Sequence, residues 1–545
     1  MKKLLALLIR KHPFDFVLAV VLGIAAGGCT AALIAAIHLG ASKAPGRSPI
    51  IWFAVAAVAN ILAGTIAYSK VLSLANEILA ALRVRLARSI LSAPYAKLEK
   101  MGSPVLLAAL TDDIQSIGGA ANGIVTMIIA GAACAGAFGY IATLSPLVCL
   151  AVLVPVFAGG LVYRILGQQG FAIVMKAMAI RMRLMRSVSS SVSGAKELKL
   201  HAPRSAAFFS EALTPATRAM HRTLHESYRK FMWAESLYVV LFFFVTGLIF
   251  FVWPRISPDA QNKLPAVALA ILFLPASVAA LLSLVPIILQ GGEAVARLDA
   301  FGLTLSEGPQ ESMTAPAANP SWKRLDLEGV SYKYKADGDR EFVLGPLDLN
   351  VSPGELVFVT GGNGSGKTTL AKVLLGLYEP DQGSRSIDGR PSNDAEGLAA
   401  YRAYFSAVFV DCHVFERMYG VDRDHLDERA DVYLKLLEID TVVSIKDGVL
   451  STSDLSMGQQ KRLALLFALL QARPIFVLDE WAAEQDPTYK KTFYETVLPT
   501  LRRQGKTIIL IAHDEQYQHV ADRVVRMEEG QLASTPELAA SALPT

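Results

Sequence analysis

A run of nine residues has the composition of a loop that binds phosphate groups. It fits the pattern Gly-x-x-x-x-Gly-Lys-Ser/Thr and consists of Gly361, Gly362, Asn363, Gly364, Ser365, Gly366, Lys367, Thr368 and Thr369. The apolar run before it predicts a buried strand, and the run after it predicts a helix. In that context backbone N–H groups and the helix N-terminus surround phosphate oxygens. We expect Lys367 to pair with the β- and γ-phosphates of ATP and the Thr368 hydroxyl to bind Mg²⁺.

Two acidic residues at the end of a second apolar run could complete a hydrolytic site. Asp479 and Glu480 follow Pro474–Leu478, and Asp479 lies 112 positions after Lys367. We expect Asp479 to hold Mg²⁺, directly or through water, and Glu480 to polarise the attacking water as a general base. Such a strand is weak evidence alone, but its place after the phosphate-binding loop strengthens the prediction.

The other half of the chain has the composition of a membrane domain. Hydrophobic residues make up 53% of the 545 residues and charged residues only 18%, which exceeds the apolar content of an ordinary soluble domain. Six stretches are long enough to cross a bilayer: Phe14–Leu39, Ile50–Tyr68, Ala121–Leu144, Leu147–Leu166, Trp233–Trp253 and Leu264–Leu289.

The distribution of charge predicts how these spans are oriented. Residues 1–320 carry 27 basic and 14 acidic side chains, whereas residues 321–545 carry 25 and 34. Most of the basic residues of the apolar half lie in two long connections, near 69–120 and 167–232, which places these connections and both termini in the cytosol. Helical spacing continues into both connections, so their tips, near Tyr95–Ser103 and Leu200–Leu213, are expected to reach the ATPase domain. A basic membrane domain explains the charge without any nucleic-acid partner.

These patterns predict a membrane α-helical domain with six transmembrane helices, followed by an α/β phosphate-binding-loop ATPase domain. The membrane domain covers residues 1–300, and a Pro-, Ser- and Gly-rich linker covers residues 301–322. From residue 323 to residue 545, strands alternate with helices, which is typical of a nucleotide-binding α/β core.

The segment Leu455-Ser-Met-Gly-Gln459 resembles the signature sequence of ABC transporters, with Met457 in place of one glycine. The whole chain resembles an exporter half-transporter of that family, and the resemblance implies six spans followed by one ATPase domain. It implies that Ser456, Met457, Gly458 and Gln459 contact nucleotide, and it also implies three further contacts. Tyr334 would stack on adenine, Asp486 would lie in the loop after the catalytic glutamate, and His513 would contact the γ-phosphate.

One position departs from the family pattern. The family usually has a glutamine after the strand near Phe405–Val410, where it senses Mg²⁺ and the membrane domain, and Val410 occupies that position here. Valine cannot bind a metal, so Asp411 is the nearest replacement. The alternative that Asp411 is only a solvated loop residue stays open.

Three segments resemble one branch of the family, the bacterial exporters of cyclic peptides and peptide siderophore precursors: Gly194–Leu200, Phe405–Phe409 and Leu478–Pro487. The resemblance implies an ATP- and Mg²⁺-dependent homodimer in the bacterial inner membrane that exports a cyclic or modified peptide, such as a lasso peptide, a lipopeptide or a pyoverdine-type precursor. Two alternatives stay open, a multidrug or lipid exporter and, more remotely, a nucleotide-gated channel or ATP-sensing regulator. Candidate cargo contacts are the polar groups in or beside the spans: Tyr140, Glu235, Tyr238 and Gln290. Glu235 could instead be an interfacial carboxylate.

Overall fold

The computed structural model describes residues 13–41, 48–256, 260–300, 321–335, 341–392 and 394–533. The chain forms two compact units. One consists of Met1–Ala87 and Leu107–Leu305, and the other of Arg88–Leu106 and Ser306–Thr545. The second unit therefore includes a short segment from the helical half, which sequence boundaries at residues 300 and 323 do not anticipate. Most of the predicted linker, residues 301–320, lies outside the described residues.

Long helices build the first unit, and among the described residues six helical stretches are long and apolar enough to cross a membrane. This confirms the six predicted spans, because a stretch of ~20 apolar residues covers a bilayer only as a helix. The helices of this half are α1 Pro13–Ala41, α2 Ser48–Leu91, α3 Tyr95–Met101, α4 Ser103–Ala108, α5 Ile114–Leu144, α6 Pro146–Ser193, α7 Ala195–Leu200, α8 Ala202–Ala207, α9 Thr214–Ile256 and α10 Ala260–Ala300. Single wider π-turns, Ala109–Asp113 and Phe208–Leu213, lead into α5 and α9.

Close approach of small residues holds these helices together. Helices α5, α6, α9 and α10 share an apolar core that includes Ile141, Val152, Phe242 and Leu274. A Cβ on Gly159 would lie 2.4 Å from the ring of Tyr238, so that glycine lets α6 and α9 approach. Asp113, which is mostly buried, binds Arg297 at 2.6 Å and ties the start of α5 to the end of α10.

Two main sheets and several short helices build the second unit. Its strands are β1 Leu325–Lys335, β2 Glu341–Val351, β3 Leu356–Gly361, β4 Gln382–Ile387, β5 Arg390–Pro391, β6 Phe405–Val408, β7 Ile445–Lys446, β8 Val449–Leu450, β9 Ile475–Asp479, β10 Thr507–Ile511, β11 Arg523–Glu528 and β12 Gln531–Ala533. Its helices are α11 Lys367–Leu374, α12 Ala395–Arg402, α13 Leu426–Leu436, α14 Met457–Leu470, α15 Pro487–Thr492 and α16 Leu498–Arg503.

The six-stranded sheet has the order β12-β11-β3-β10-β9-β6. Its strands β11, β3, β10, β9 and β6 are parallel, and their buried faces are continuous apolar runs. Residue Ile511 of β10 is in register with Val359 of β3 and with Asp479 of β9. Ligands bind parallel sheets at the carboxyl ends of their strands, so the loops after β3, β9 and β10 converge on one edge.

Helix α3 packs on the α/β fold of the second unit. Glu99 accepts a hydrogen bond from Lys372 Nζ at 2.7 Å and another from the Tyr378 hydroxyl. The Tyr95 ring stacks on Tyr378, which in turn stacks on Tyr332. Partial burial would raise the pKa of Glu99, but the bonds from Lys372 and Tyr378 outweigh it and lower the pKa. The prediction that the Tyr95–Ser103 tip reaches the ATPase domain is confirmed.

Candidate nucleotide-binding and hydrolysis site

The phosphate-binding loop runs from the end of β3 into the start of α11. Gly361 has φ +151°, and a Cβ there would lie 2.3 Å from the Met527 carbonyl oxygen, so only glycine fits. Lys367 is almost fully buried, and its ammonium donates to the carbonyl oxygens of Gly361 and Gly362, both at 2.9 Å. Burial lowers the pKa of Lys367, while Glu480 and Asp479 partly offset that effect. The lysine charge therefore lies inside the loop that should surround the phosphates.

Asp479, the last residue of β9, has the properties of a cation ligand. Its side chain is buried, and neither carboxylate oxygen has a hydrogen-bond partner in the described part of the chain. Burial raises the pKa of Asp479, and the nearby Thr368 hydroxyl and Lys367 ammonium only partly oppose it. A buried carboxylate stays ionised only where a counter-charge or hydrogen-bond donors compensate for its lost hydration. Asp479 and Thr368 thus fit a Mg²⁺ ion, which would supply charge neutralisation to the phosphates.

Glu480 directly follows β9 and lies beside His513 of the loop after β10. The Glu480 Oε1 atom and the His513 Nε2 atom are 3.1 Å apart, and both side chains are partly exposed at the edge of the sheet. The Glu480 backbone N–H donates to the Ile511 carbonyl oxygen at 2.9 Å, which joins the ends of β9 and β10. A carboxylate held beside an imidazole and open to water is the arrangement that a general base needs.

The signature segment forms the start of α14. Ser456 is the N-cap, and its hydroxyl accepts from the Gln459 N–H at 3.4 Å. In return, the Gln459 side-chain oxygen accepts from the Ser456 N–H at 2.9 Å, so the pair forms a capping box. Met457, at the glycine position of the pattern, is 63% exposed. The N-terminus of α14 and the Met457 side chain therefore face outward from this unit.

The segment after Glu480 is bound to α14. Asp486 caps α15 by accepting from the Tyr489 N–H at 2.9 Å, and it pairs with Arg462 of α14 at 3.0 Å. The Tyr489 N–H bond and the Arg462 charge lower the pKa of Asp486. Gln485 donates to the Gly458 carbonyl oxygen at 3.0 Å. The predicted site residues Gly458 and Asp486 are thus linked, because the segment that contains Asp486 is bonded to α14.

Tyr334 and Asp411 lie in less enclosed positions. Tyr334 is 38% exposed near the end of β1, as an aromatic surface for a base would be. Asp411 is exposed and lines a cavity of about 410 Å³ together with Tyr95, Lys372 and Cys412. Asp411 therefore lies on the face of the ATPase unit that contacts α3, and its metal-binding role stays a prediction.

We expect Asp411→Ala to raise the Mg²⁺ concentration needed for half-maximal ATPase activity by a few-fold, because one water-mediated ligand is worth about 1 kcal/mol. ATP binding measured without metal should change less. Asp431→Ala removes an exposed acid from α13 and is the matched control. An unchanged Mg²⁺ dependence would reduce Asp411 to a loop residue.

The four candidate cargo contacts occupy different environments. Tyr238 is fully buried against Gly159 and Phe242, and Tyr140 is half-buried in the same core. Glu235 is exposed, and Gln290 is half-buried. None of the four lines the cavity of about 400 Å³ that the structure shows in the helical unit. No sequence motif indicates the position of that cavity.

The site and the six membrane helices define a membrane-bound ATPase. Residues 344–483 match the ABC transporter family model. The chain is 33% identical over 546 residues, 97% of its own length and 96% of the other's, to the ATP-binding protein SyrD of Pseudomonas syringae pv. syringae. The chain therefore belongs to the ABC transporter family, and it hydrolyses ATP to drive transport.

Shorter similarities are to proteins whose names state different cargoes. A probable syringafactin export ATP-binding/permease protein, SyfD, of Pseudomonas syringae pv. syringae strain B728a is 30% identical over 38% of this chain and 33% of its own length. An ATP-dependent lipid A-core flippase of Alkalilimnicola ehrlichii is 32% identical over 39% of this chain and 37% of its own length. A bacterial Atm1-family ABC exporter with ATP bound has the same fold, with a TM-score of 0.72 and 18% identity over 96% of this chain and 95% of that one.

Proposed function

We propose that this protein is a homodimeric exporter of the bacterial inner membrane that moves a cyclic or modified peptide, or a peptide siderophore precursor, out of the cytosol. The observation that carries the peptide cargo is the partial similarity to a probable syringafactin exporter. The similarity to SyrD covers almost the whole chain and so extends through the membrane half, where a cargo would bind.

A cavity among the membrane helices offers a place for such a cargo. It measures about 400 Å³ and lies among α6, α9 and α10, with walls formed by Gly160, Tyr163, Arg164, Gly167, Gln168, Phe231, Leu282, Val285, Pro286 and Leu289. The Tyr163 and Phe231 rings are 6.0 Å apart, and Phe231 packs where Gly167 and Gly170 lack side chains. Apolar walls with a few polar groups are typical of small-molecule sites.

Arg164 gives this cavity its chemical preference. It is the cationic member of the lining, it is exposed, and it belongs to a predicted span. Charged residues inside spans are costly and mark functional sites. An arginine beside aromatic and aliphatic walls suits a carboxylate on an acylated or cyclic peptide. Gln168, one turn further on α6, would donate to or accept from peptide amides.

A lipid exporter is the second candidate, because the lipid A-core flippases match about two-fifths of the chain. A phosphate headgroup could also bind Arg164, so the two functions share one chemistry. A drug exporter has a similar observation in its favour, because a macrolide export ATP-binding/permease protein, MacB, of Hahella chejuensis is 29% identical over 41% of this chain and 35% of its own length. A nucleotide-gated channel could dispense with a general base, whereas this chain retains the Glu480–His513 pair.

The purified protein in nanodiscs of neutral lipid tests the proposal. A cyclic lipopeptide with a free carboxylate should stimulate ATPase activity more than its amidated analogue, an anionic phospholipid or a hydrophobic drug. Arg164→Gln should weaken the carboxylate preference about 10- to 150-fold, as expected for a charge-assisted hydrogen bond worth about 1.5–3 kcal/mol. Arg183→Gln, an exposed arginine of the same helix, is the control. Glu235→Gln should have an effect only if that carboxylate also faces the cargo.

Stimulation by phospholipid alone, with no response to any peptide, would assign the lipid alternative instead. Deletion of the gene gives a second readout, because the peptide product should then accumulate in the cytosol. Normal secretion of every peptide product in the deletion strain would contradict the proposed cargo.

A further inference from the structure

A buried lysine joins the signature helix to the catalytic glutamate within one chain. Lys461 lies on α14, five residues after Ser456, and is 2% exposed. Its ammonium donates to the Glu480 carbonyl oxygen at 3.1 Å and lies 3.5 Å from the Glu484 carboxylate. A lysine is almost never fully buried unless it is paired. Here both of its partners belong to the turn that carries the general base.

The backbone of Lys461 also contacts this turn. Its carbonyl oxygen accepts a hydrogen bond from the Trp481 indole N–H at 2.7 Å. Trp481 is fully buried, and its ring lies 4.2 Å from that of Phe493. The residue after the general base is thus bound to the main chain of Lys461, and the general base itself is bound to the Lys461 side chain.

Glu480 needs such support because its backbone conformation is uncommon. Its φ is +49°, in the left-handed region that residues with side chains seldom adopt. The carbonyl oxygen of Glu480 accepts from the Ala483 N–H at 3.3 Å and from the Lys461 ammonium. The bond from the ammonium is charge-assisted and is the stronger type. This conformation directs the Glu480 carboxylate toward His513.

We propose that Lys461 is a positioning residue for ATP hydrolysis, which transmits the position of the signature helix to the carboxylate of Glu480. Gly458, Lys461 and Arg462 all bind the segment Glu480–Asp486, and among these contacts the Lys461 ammonium is the one that reaches Glu480 itself. A shift of α14 therefore moves the carbonyl group of Glu480 and rotates its turn. The proposed role of Lys461 depends on the ATPase activity of the chain and not on the identity of the cargo.

Lys461 would also connect two ATP sites, a role that rests on the proposed homodimer. The signature helix of one chain should cap the nucleotide bound by its partner. Lys461 then links the occupancy of the partner's site to the general base of its own site. Loss of the lysine should reduce both the turnover number and the cooperativity of hydrolysis with respect to ATP.

The test compares basal ATPase activity of full-length variants in nanodiscs, without cargo, against the Glu480→Gln chain as a blank. Lys461→Met keeps the length of the side chain but removes the donor. We expect kcat to fall about 10- to 100-fold, the effect of a misplaced catalytic group, with KM for ATP within about twofold and a Hill coefficient near unity. Lys461→Gln restores a neutral donor and should recover part of kcat. Lys435→Met, an exposed lysine on α13, is the matched control.

The double variant Lys461→Met/Glu484→Gln separates positioning from stability. It leaves no unpaired carboxylate, so it should recover the unfolding temperature that Lys461→Met loses, whereas kcat should stay low. Recovery of kcat together with stability would overturn the inference, because the lysine would then act only by neutralising Glu484. Full kcat in Lys461→Met would also overturn it. These readouts are measured without cargo, so they stay interpretable even if no peptide stimulates the ATPase. Failure of the proposed cargo can therefore be distinguished from failure of the role of Lys461.

Discussion

Glu480→Gln should lower ATP turnover by about 10²–10⁴-fold, the usual contribution of a general base, while ATP affinity stays near that of the unchanged chain. The amide keeps an oxygen acceptor for His513, so the 3.1 Å contact with Nε2 can persist. The amide cannot accept a proton from the attacking water, however. Nucleotide should therefore bind and remain intact, and the protein should accumulate in its ATP-bound state.

Single-turnover hydrolysis and equilibrium binding of labelled ATP measure the two quantities separately. Glu495→Gln removes an exposed carboxylate from the same unit and should leave both unchanged. Turnover of the Glu480→Gln variant at the rate of the unchanged chain would exclude Glu480 as the base.

Local sequence allows the parts of an ATP site to be predicted because each part is a strand followed by a short loop. Gly361 ends β3, Asp479 ends β9 and His513 lies two residues after β10. Parallel strands bring their carboxyl ends to one edge of the sheet. The spacing of such motifs therefore carries three-dimensional information. The match at residues 344–483 and the register of Ile511 with Val359 and Asp479 agree with that reasoning.

Contacts between distant segments could not be predicted in the same way. Lys372 and Glu99 are 273 positions apart, and their pairing depends on how α3 docks. Lys461 looks like an ordinary polar position in an amphipathic helix, and only tertiary packing shows that it points inward. Polar residues in the spans were a poor guide to the cavity. Helices that are apolar all round do not reveal which face is buried, and Tyr238 lies in a helix–helix contact.

Assembly is the property with the other large expected effect. The capped N-terminus of α14 and the 63% exposed Met457 face outward, and a helix N-terminus favours phosphate. If two chains build each ATP site, Lys367→Ala and Ser456→Arg should each reduce activity by about 10²-fold, the cost of losing one positioned transition-state contact. Mixed dimers carry both lesions in one site and keep the other intact, so mixtures should recover activity over either pure variant.

Recovery of ATPase activity also requires that one intact site can hydrolyse ATP alone. A disulfide crosslink tests the assembly without that requirement. Ser365 is almost fully buried, and Ser456 caps α14, so exposed neighbours are better crosslinking positions. In a chain whose four native cysteines are replaced by alanine, Met457→Cys on one tagged copy should crosslink to Asn363→Cys on a differently tagged copy. The yield should rise with ATP, because nucleotide phosphates draw both segments together. Ile50→Cys, an exposed residue at the start of α2 and outside the two long cytosolic connections, should give no such ATP-dependent crosslink to Asn363→Cys. A disulfide that forms only when both cysteines are on one chain would contradict the homodimer, because the signature helix would then serve its own phosphate-binding loop.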